Sequence, residues 1–180
     1  IRFAHDSFFK DGIKKITKGD SNIICNSIAI RKTLNKTFDI DEKYIKVINN
    51  GINNTKMIDV KSKQTNFIVM FVGNLREVKN PLFFLKVINQ IMKTNNYNIL
   101  FYIVGDGPMM LDIKQYIQSN NLGDYVKLFG NIKNNEIPYS EVNLTFNCSI
   151  SEGSSNTILE SLSFGIPVVA SDNIGNKEIL

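Results

Sequence analysis

The chain has 180 residues, 43% of them hydrophobic, and a formal net charge of +4. That is enough apolar material to build a core without disulfides or metal. Acids and bases are interspersed, a mild bias towards anions that falls well short of a nucleic-acid-binding footprint.

Cys25 and Cys148 sit in apolar runs, "NIICNS" and "LTFNCS", and no Cys/His cluster has metal-ligand spacing. Both read as buried free thiols of a reducing compartment. No secretory signal is expected, and the sequence holds no apolar run of about 18 residues. The opening "IRFAHDSFFK" lacks an initiator Met, and "NKEIL" stops in what reads as the first turn of a helix. The expectation is an excerpt of a longer protein.

In chain order, 21–27 reads as a strand and "IAIRKTLNKTF" as an amphipathic helix with Ile28, Leu34 and Phe38 towards a core. A short strand over 44–52 ends in an Asn-Asn-Gly turn, and the polar, aperiodic "MIDVKSKQTN" reads as a linker. The rhythm then restarts: strand 67–74, helix 81–93, strand 98–105, helix 108–120, strand 125–130, a short helix near "NNEIPYS", strand 143–148, the helix "SNTILESLSFG" and strand 167–171. The strands are apolar nearly throughout, as expected of parallel strands covered on both faces. Alternation of β and α elements predicts a doubly wound α/β sheet.

Ligands of such sheets bind beyond the carboxyl ends of the strands. After strand 67–74 comes "GNLREVKN", where Gly73 permits a turn and Arg76 and Lys79 make a phosphate clamp or a solvated basic loop. After strand 98–105 comes "GDGP". Its third glycine is missing, so it reads as turn chemistry, with Asp106 and Pro108 starting a helix, and not as a dinucleotide fingerprint. After strand 143–148 comes "SISEGSSNTILESLSFGIPVVASD", with seven residues between Glu152 and Glu160. Ser154 or Ser155 can cap the helix, leaving the amides of Asn156, Thr157 and Ile158 open to an anion at its positive end. Ile158, Leu159 and Leu162 are expected to form the buried stripe. Glu152 reads either as a turn acid or as an acceptor for sugar hydroxyls.

"EGSSNTILESLSFGIPVVAS" resembles the E-x7-E signature of retaining glycosyltransferases of family 4, the group 1 glycosyltransferases, which have the GT-B fold. "FVGNLREVKN", "YIVGDGP", "VKLFG" and "NIGNKEIL" follow the order and spacing typical of that family's second domain, and "SNIICNSIAIRKTL" and "IKVINNGIN" resemble the hand-over from its first. The resemblance therefore covers nearly the whole chain. It implies residues 1–53 as the end of an acceptor-side Rossmann-like domain, 54–66 as a linker and 67–180 as a truncated nucleotide-sugar donor domain.

By the same resemblance Lys79 binds the donor diphosphate. Asn74 stands where the family commonly has an arginine, a role Arg76 could take over. Glu160 grips the ribose hydroxyls and Glu152 contacts the transferred sugar. Gly73, Gly153, Ser154, Ser155, Asn156, Thr157 and Ile158 line the sugar and phosphates, and Phe129, Gly130 and Asn131 meet the base. His5 corresponds by the resemblance to a cleft histidine of the acceptor side, although as a lone histidine near a strand end it reads more readily as structural. The implied reaction moves a hexose from a nucleotide diphosphate sugar to a glycan or lipid-linked acceptor hydroxyl, with retention, and with neither metal nor cofactor. No nucleic-acid partner is implied. The setting would be cytoplasmic, with peripheral membrane association at the inner face through sequence outside this chain. The excerpt alone is expected to transfer nothing. Two alternatives stay open, a GT-B nucleotide-sugar 2-epimerase and a non-catalytic nucleotide-sugar-binding module.

Overall fold

The computed structural model describes residues 22–52, 66–94 and 98–180. His5 and residues 54–65 of the expected linker lie outside the described residues. The chain divides by its contacts into two units.

The first unit contains β1 (Ile23–Cys25), α1 (Ile28–Phe38) and β2 (Ile45–Val47), with β1 and β2 paired in parallel. Ser27 caps α1, its hydroxyl accepting from Ile30 N at 3.1 Å, and Asp39 ends it in the left-handed region at φ 56°. Cys25, Phe38, Ile40 and Ile45 form the core, with Ile30 and Leu34 packed against it. Ile30, Leu34 and Phe38 recur every four residues and so share one face of the helix. Ile28 lies about 200° around the helix from Ile30 by the 3.6-residue turn. It is 41% exposed, against the expectation that it faces the core.

The second unit is a five-stranded parallel sheet in the order β5-β4-β3-β6-β7. Its elements are β3 (Phe67–Val72), α2 (Pro81–Thr94), β4 (Ile99–Val104), α3 (Met110–Ser119), β5 (Val126–Gly130), β6 (Leu144–Asn147), α4 (Asn156–Ser163) and β7 (Val168–Ala170). This is the doubly wound α/β architecture that the alternating pattern predicts.

Period-two alternation sends β3 and β4 side chains into two separate cores. Val69, Phe71, Phe101 and Ile103 pack with Phe84, Leu85, Ile88 and Ile113 of the α2 and α3 helices. Ile68, Met70, Tyr102 and Val104 pack on the other face with Tyr139, Val142 and Ile166. Phe84 centres the first core, its ring stacked on Phe71 and Phe146 with centroids 5.9 and 5.2 Å away. Because both faces are buried, the strands carry no polar alternation for the sequence to show.

Two helix details differ from expectation. The third helix begins at Met110 and has no side-chain cap; Asp106 instead accepts from its neighbour Gly107 N at 2.7 Å. In α4, Ile158 and Ser161 are fully buried whereas Leu162 is 42% exposed. The inward face is centred between Thr157, Ile158 and Ser161, because the Thr157 and Ser161 hydroxyls find partners on β3 and β6 beside the buried Ile158, and Leu162 falls at its edge. Cys25 and Cys148 are buried free thiols. Among the described residues no helix is long and apolar enough to cross a membrane.

Candidate functional site

From β3 the sheet grows one way through β4 and β5, and the other way through β6 and β7. The strand order therefore reverses between β3 and β6, where the segments leaving their carboxyl ends part and open a crevice. The turn after β3 and the first turn of α4, where Thr157 bonds to Val72 O, both border this place.

The turn after β3 is built on backbone. Gly73 N donates to Val104 O, Leu75 N to Asp106 O and Met109 N to Leu75 O, all at 2.9–3.0 Å, and Gly105 N donates to Gly130 O at 2.8 Å. Gly107 lies so close that a Cβ there would come within 2.6 Å of Leu75 O and 2.7 Å of the Asn74 Oδ1. Gly105 holds φ 132° and abuts the Gly73 carbonyl. Glycine is needed at both positions, so the "GDGP" turn works as a buttress for the loop carrying Asn74, Arg76 and Lys79.

Arg76 is exposed and precedes a short 3-10 turn, Glu77–Lys79. The half-buried Lys79 lays its stem towards Gly73, its Cδ 3.8 Å from where a Gly73 Cβ would stand. This keeps the aliphatic part packed and carries the ammonium group at the strand's carboxyl end. Beside it, Gly73, Asn74, Gly105, Asp106, Gly107, Asn131, Ile132, Asn134 and Ile137 line a cleft of about 630 Å³. Asn131 thus faces this cleft. Gly130 (φ 67°) turns the chain into it, and the Phe129 ring packs on Tyr102 with centroids 4.9 Å apart under the Lys127 ammonium.

Opposite that turn, α4 is fixed to the sheet by hydroxyls. Thr157 Oγ1 donates to Val72 O at 3.3 Å, and Ser161 Oγ reaches Thr145 Oγ1 at 2.9 Å and Thr157 O at 2.7 Å. Asn156, Thr157 and Ile158 form the first turn of this eight-residue helix, and Ser155 immediately precedes it. Glu160 follows one turn in, half-buried, and its Oε2 accepts from the Tyr139 hydroxyl at 2.7 Å. Burial, reinforced by that carboxylate, pushes the Tyr139 phenol far above its ordinary range, so the proton stays on tyrosine.

Glu152, Gly153, Ser154 and Ser155 belong with the first unit by their contacts. Gly153 fits against Ile30, where a Cβ would come within 2.5 Å of Cδ1, and Gly175 abuts the Glu152 and Gly153 carbonyls. Glu178 of the same unit accepts from Ile28 N at 2.8 Å and from Ala29 N, a carboxylate at the positive end of α1.

Three residues carried no signal of their role in the sequence. Tyr139 and Glu178 reach partners far along the chain. Cys148, read only as a buried thiol, directs its sulfur at Lys79 O and Asn80 O, 3.4 and 3.2 Å away, and Ile150 N donates to Val78 O at 2.8 Å. The end of β6 thus fastens the turn that bears Lys79. Among the described residues no three His, Cys, Asp or Glu side chains gather as a metal site.

Residues 53–180 match the family described as glycosyl transferases group 1. The chain belongs to that family. This glycosyl transferases group 1 member is 26% identical over 182 residues to the Campylobacter jejuni GalNAc-alpha-(1->4)-GalNAc-alpha-(1->3)-diNAcBac-PP-undecaprenol alpha-1,4-N-acetyl-D-galactosaminyltransferase, across 98% of this chain and 50% of that protein. It is 29% identical over 198 residues to the Escherichia coli UDP-Gal:alpha-D-GlcNAc-diphosphoundecaprenol alpha-1,3-galactosyltransferase, across 97% and 51%. Its fold is similar to that of Anabaena Alr3699/HepE, crystallised with UDP and glucose, with a TM-score of 0.84 at 20% identity over 97% of this chain and 51% of that one. The chain spans about half the length of the curated relatives it matches. Its fold is that of the GT-B glycosyltransferases.

Proposed function

We propose that the complete protein moves a hexose from a nucleotide diphosphate sugar to the hydroxyl of a glycan or lipid-linked acceptor, with retention at the anomeric carbon. The observation that carries this reading is the crevice between β3 and β6. The Lys79 turn stands on one side of it and the start of α4 on the other. The neighbouring cleft of about 630 Å³ is of the size small-molecule sites have. Both curated relatives above carry an undecaprenol-linked substrate in their names, which favours a lipid-linked acceptor here.

In this reading the base enters the cleft beside Asn131, with Phe129 and Gly130 shaping its wall. Glu160 accepts from the ribose hydroxyls. The diphosphate meets Lys79, Arg76 and the first-turn amides of Asn156, Thr157 and Ile158, close to Gly73 and Asn74. Glu152, with Gly153, Ser154 and Ser155, attends the transferred sugar, and His5 attends the acceptor. The bond from the anomeric carbon to the diphosphate breaks and its electron pair leaves with the phosphate oxygen. The acceptor oxygen forms the new bond, and the nucleoside diphosphate and one proton are released. Negative charge grows on the diphosphate as that bond ionises, so fixed cations and amides aimed at it stabilise the transition state more than the ground state. We read the reaction as needing no metal or cofactor beyond the donor, and as taking place at the cytoplasmic face of a membrane.

The test is transfer and donor hydrolysis by the complete protein, side by side with Lys79→Ala. Turnover that collapses in the variant supports the transferase. Tight binding of a nucleotide sugar with no turnover towards any lipid-linked acceptor would overturn it in favour of a binding module.

A further inference from the structure

We propose that Tyr139 is a positioning residue for Glu160, orienting its carboxylate so that the site selects a ribose over a deoxyribose donor. The inference rests on the reading of Glu160 as the ribose contact and goes beyond it by naming what sets that contact.

Tyr139 lies in the short 3-10 turn Tyr139–Glu141 and is 4% exposed. Its ring is locked by stacking on Phe164, with centroids 4.7 Å apart and planes 24° from parallel. The hydroxyl has one proton, and it goes to Glu160 Oε2 at 2.7 Å, a short bond of the charge-assisted kind. Oε1 makes no hydrogen bond to another described residue, so one oxygen is anchored and the other is open. The main chain at Glu160 is also held, its carbonyl accepting from Ser163 Oγ at 2.6 Å and from Phe164 N at 3.2 Å. Backbone and side chain are thereby fixed independently.

A glutamate has three rotatable side-chain bonds and loses considerable freedom when it grips a ligand. Anchoring Oε2 removes that freedom before the ligand arrives and aims the acceptor pair at neighbouring hydroxyls. The anchor is durable, because burial and the facing carboxylate hold the phenol in its protonated, donating form. A buried tyrosine would seek some acceptor in any case. What distinguishes positioning from mere satisfaction is its effect on a group of the ligand that Tyr139 does not touch.

The experiment measures, by calorimetry on the complete protein, binding of UDP, GDP and ADP and of their 2′-deoxy counterparts. The readout is the ribose-to-deoxyribose affinity ratio of the tightest base. The wild type should favour the ribose form, and Glu160→Ala should abolish the ratio. Tyr139→Phe, which keeps the stacked ring, should lower the ratio by roughly tenfold while affinity for the deoxy form stays put. An unchanged ratio in Tyr139→Phe, alongside a lost ratio in Glu160→Ala, overturns the positioning role alone. A ratio that survives Glu160→Ala overturns the ribose reading itself, and no binding by any of the three diphosphates overturns the donor site. If Tyr139→Phe does not fold, Phe164→Leu loosens the same ring with hydroxyl and carboxylate intact. A smaller drop in the ratio is then expected, and no drop counts against the proposal.

Discussion

After β3 the chain is held in place by main-chain hydrogen bonds, from Gly73, Leu75, Gly105 and Met109 to carbonyls of the adjoining turns. After β6 and along α4, beside the main-chain bond from Ile150 N to Val78 O, the same task falls mostly to side chains: Cys148 towards Lys79 O and Asn80 O, Thr157 to Val72 O, Ser161 to Thr145 and Tyr139 to Glu160. The difference decides what a substitution can do. Where backbone sets the geometry, a side chain can be exchanged with little movement, and function there lies in its charge. Where side chains set it, losing one hydroxyl moves the groups that it held.

Lys79→Ala tests the first half of that contrast with the largest effect. Its stem packs towards Gly73, and the main-chain bonds that hold the turn do not involve its ammonium group. Loss of one preorganised donor to a departing diphosphate is expected to lower kcat by on the order of 10²–10³, with the melting temperature nearly unchanged. A variant that loses activity only through unfolding would break the contrast. Gly105→Ala should do the reverse. At φ 132° and against the Gly73 carbonyl, a Cβ cannot be accommodated without moving the turn. The expected loss of stability in urea unfolding is more than about 1 kcal/mol, and Lys79 would be displaced with it.

The two regions were also unequally legible in the sequence. The parallel sheet could be read because both of its faces are covered, which leaves long apolar runs, and because glycines mark the turns at Gly73, Gly105 and Gly107. Those are local signals. The Tyr139 contact with Glu160 spans 21 positions and that of Cys148 with Asn80 spans 68, so no spacing rule announces either. The misplaced faces have a related cause. Hydrophobicity points Ile28 and Leu162 inward, but in α1 the Ser27 cap sets the phase, and in α4 the inward face is occupied partly by Thr157 and Ser161, whose hydroxyls bond there. Polar residues satisfied inside a core look like surface residues until their partners are known.

Ser161→Ala sharpens the side-chain half. Ser161 and Thr145 are fully buried and bonded to each other at 2.9 Å, so the variant leaves the threonine hydroxyl without that partner. A cost of about 1–3 kcal/mol in unfolding free energy is expected, together with weaker nucleoside diphosphate binding as the start of α4 loosens. A variant as stable as wild type would argue that the helix is held by Ile158 and its neighbours alone.

A pH-dependent effect concerns Cys148, where the two halves meet. Burial pushes its thiol up from 9.0 to about 11, although nearby main-chain hydrogen bonds oppose the shift. Below pH 9 the thiol is protonated in both folded and unfolded chains. Between pH 9 and about 11 the unfolded chain releases the proton while the folded chain keeps it, so the folded state binds more protons and stability falls as pH rises. A shift of that size corresponds to about 2–3 kcal/mol at most. Cys148→Ala abolishes this slope while losing the sulfur's contacts to the Lys79 turn at every pH. The stability gap between wild type and variant should therefore be widest near pH 7 and close between pH 9 and 11, measured by urea unfolding across that range. A gap constant with pH would show that the thiol ionises as freely in the folded protein as in the unfolded chain, and that the Lys79 turn is not sealed from solvent on its β6 side.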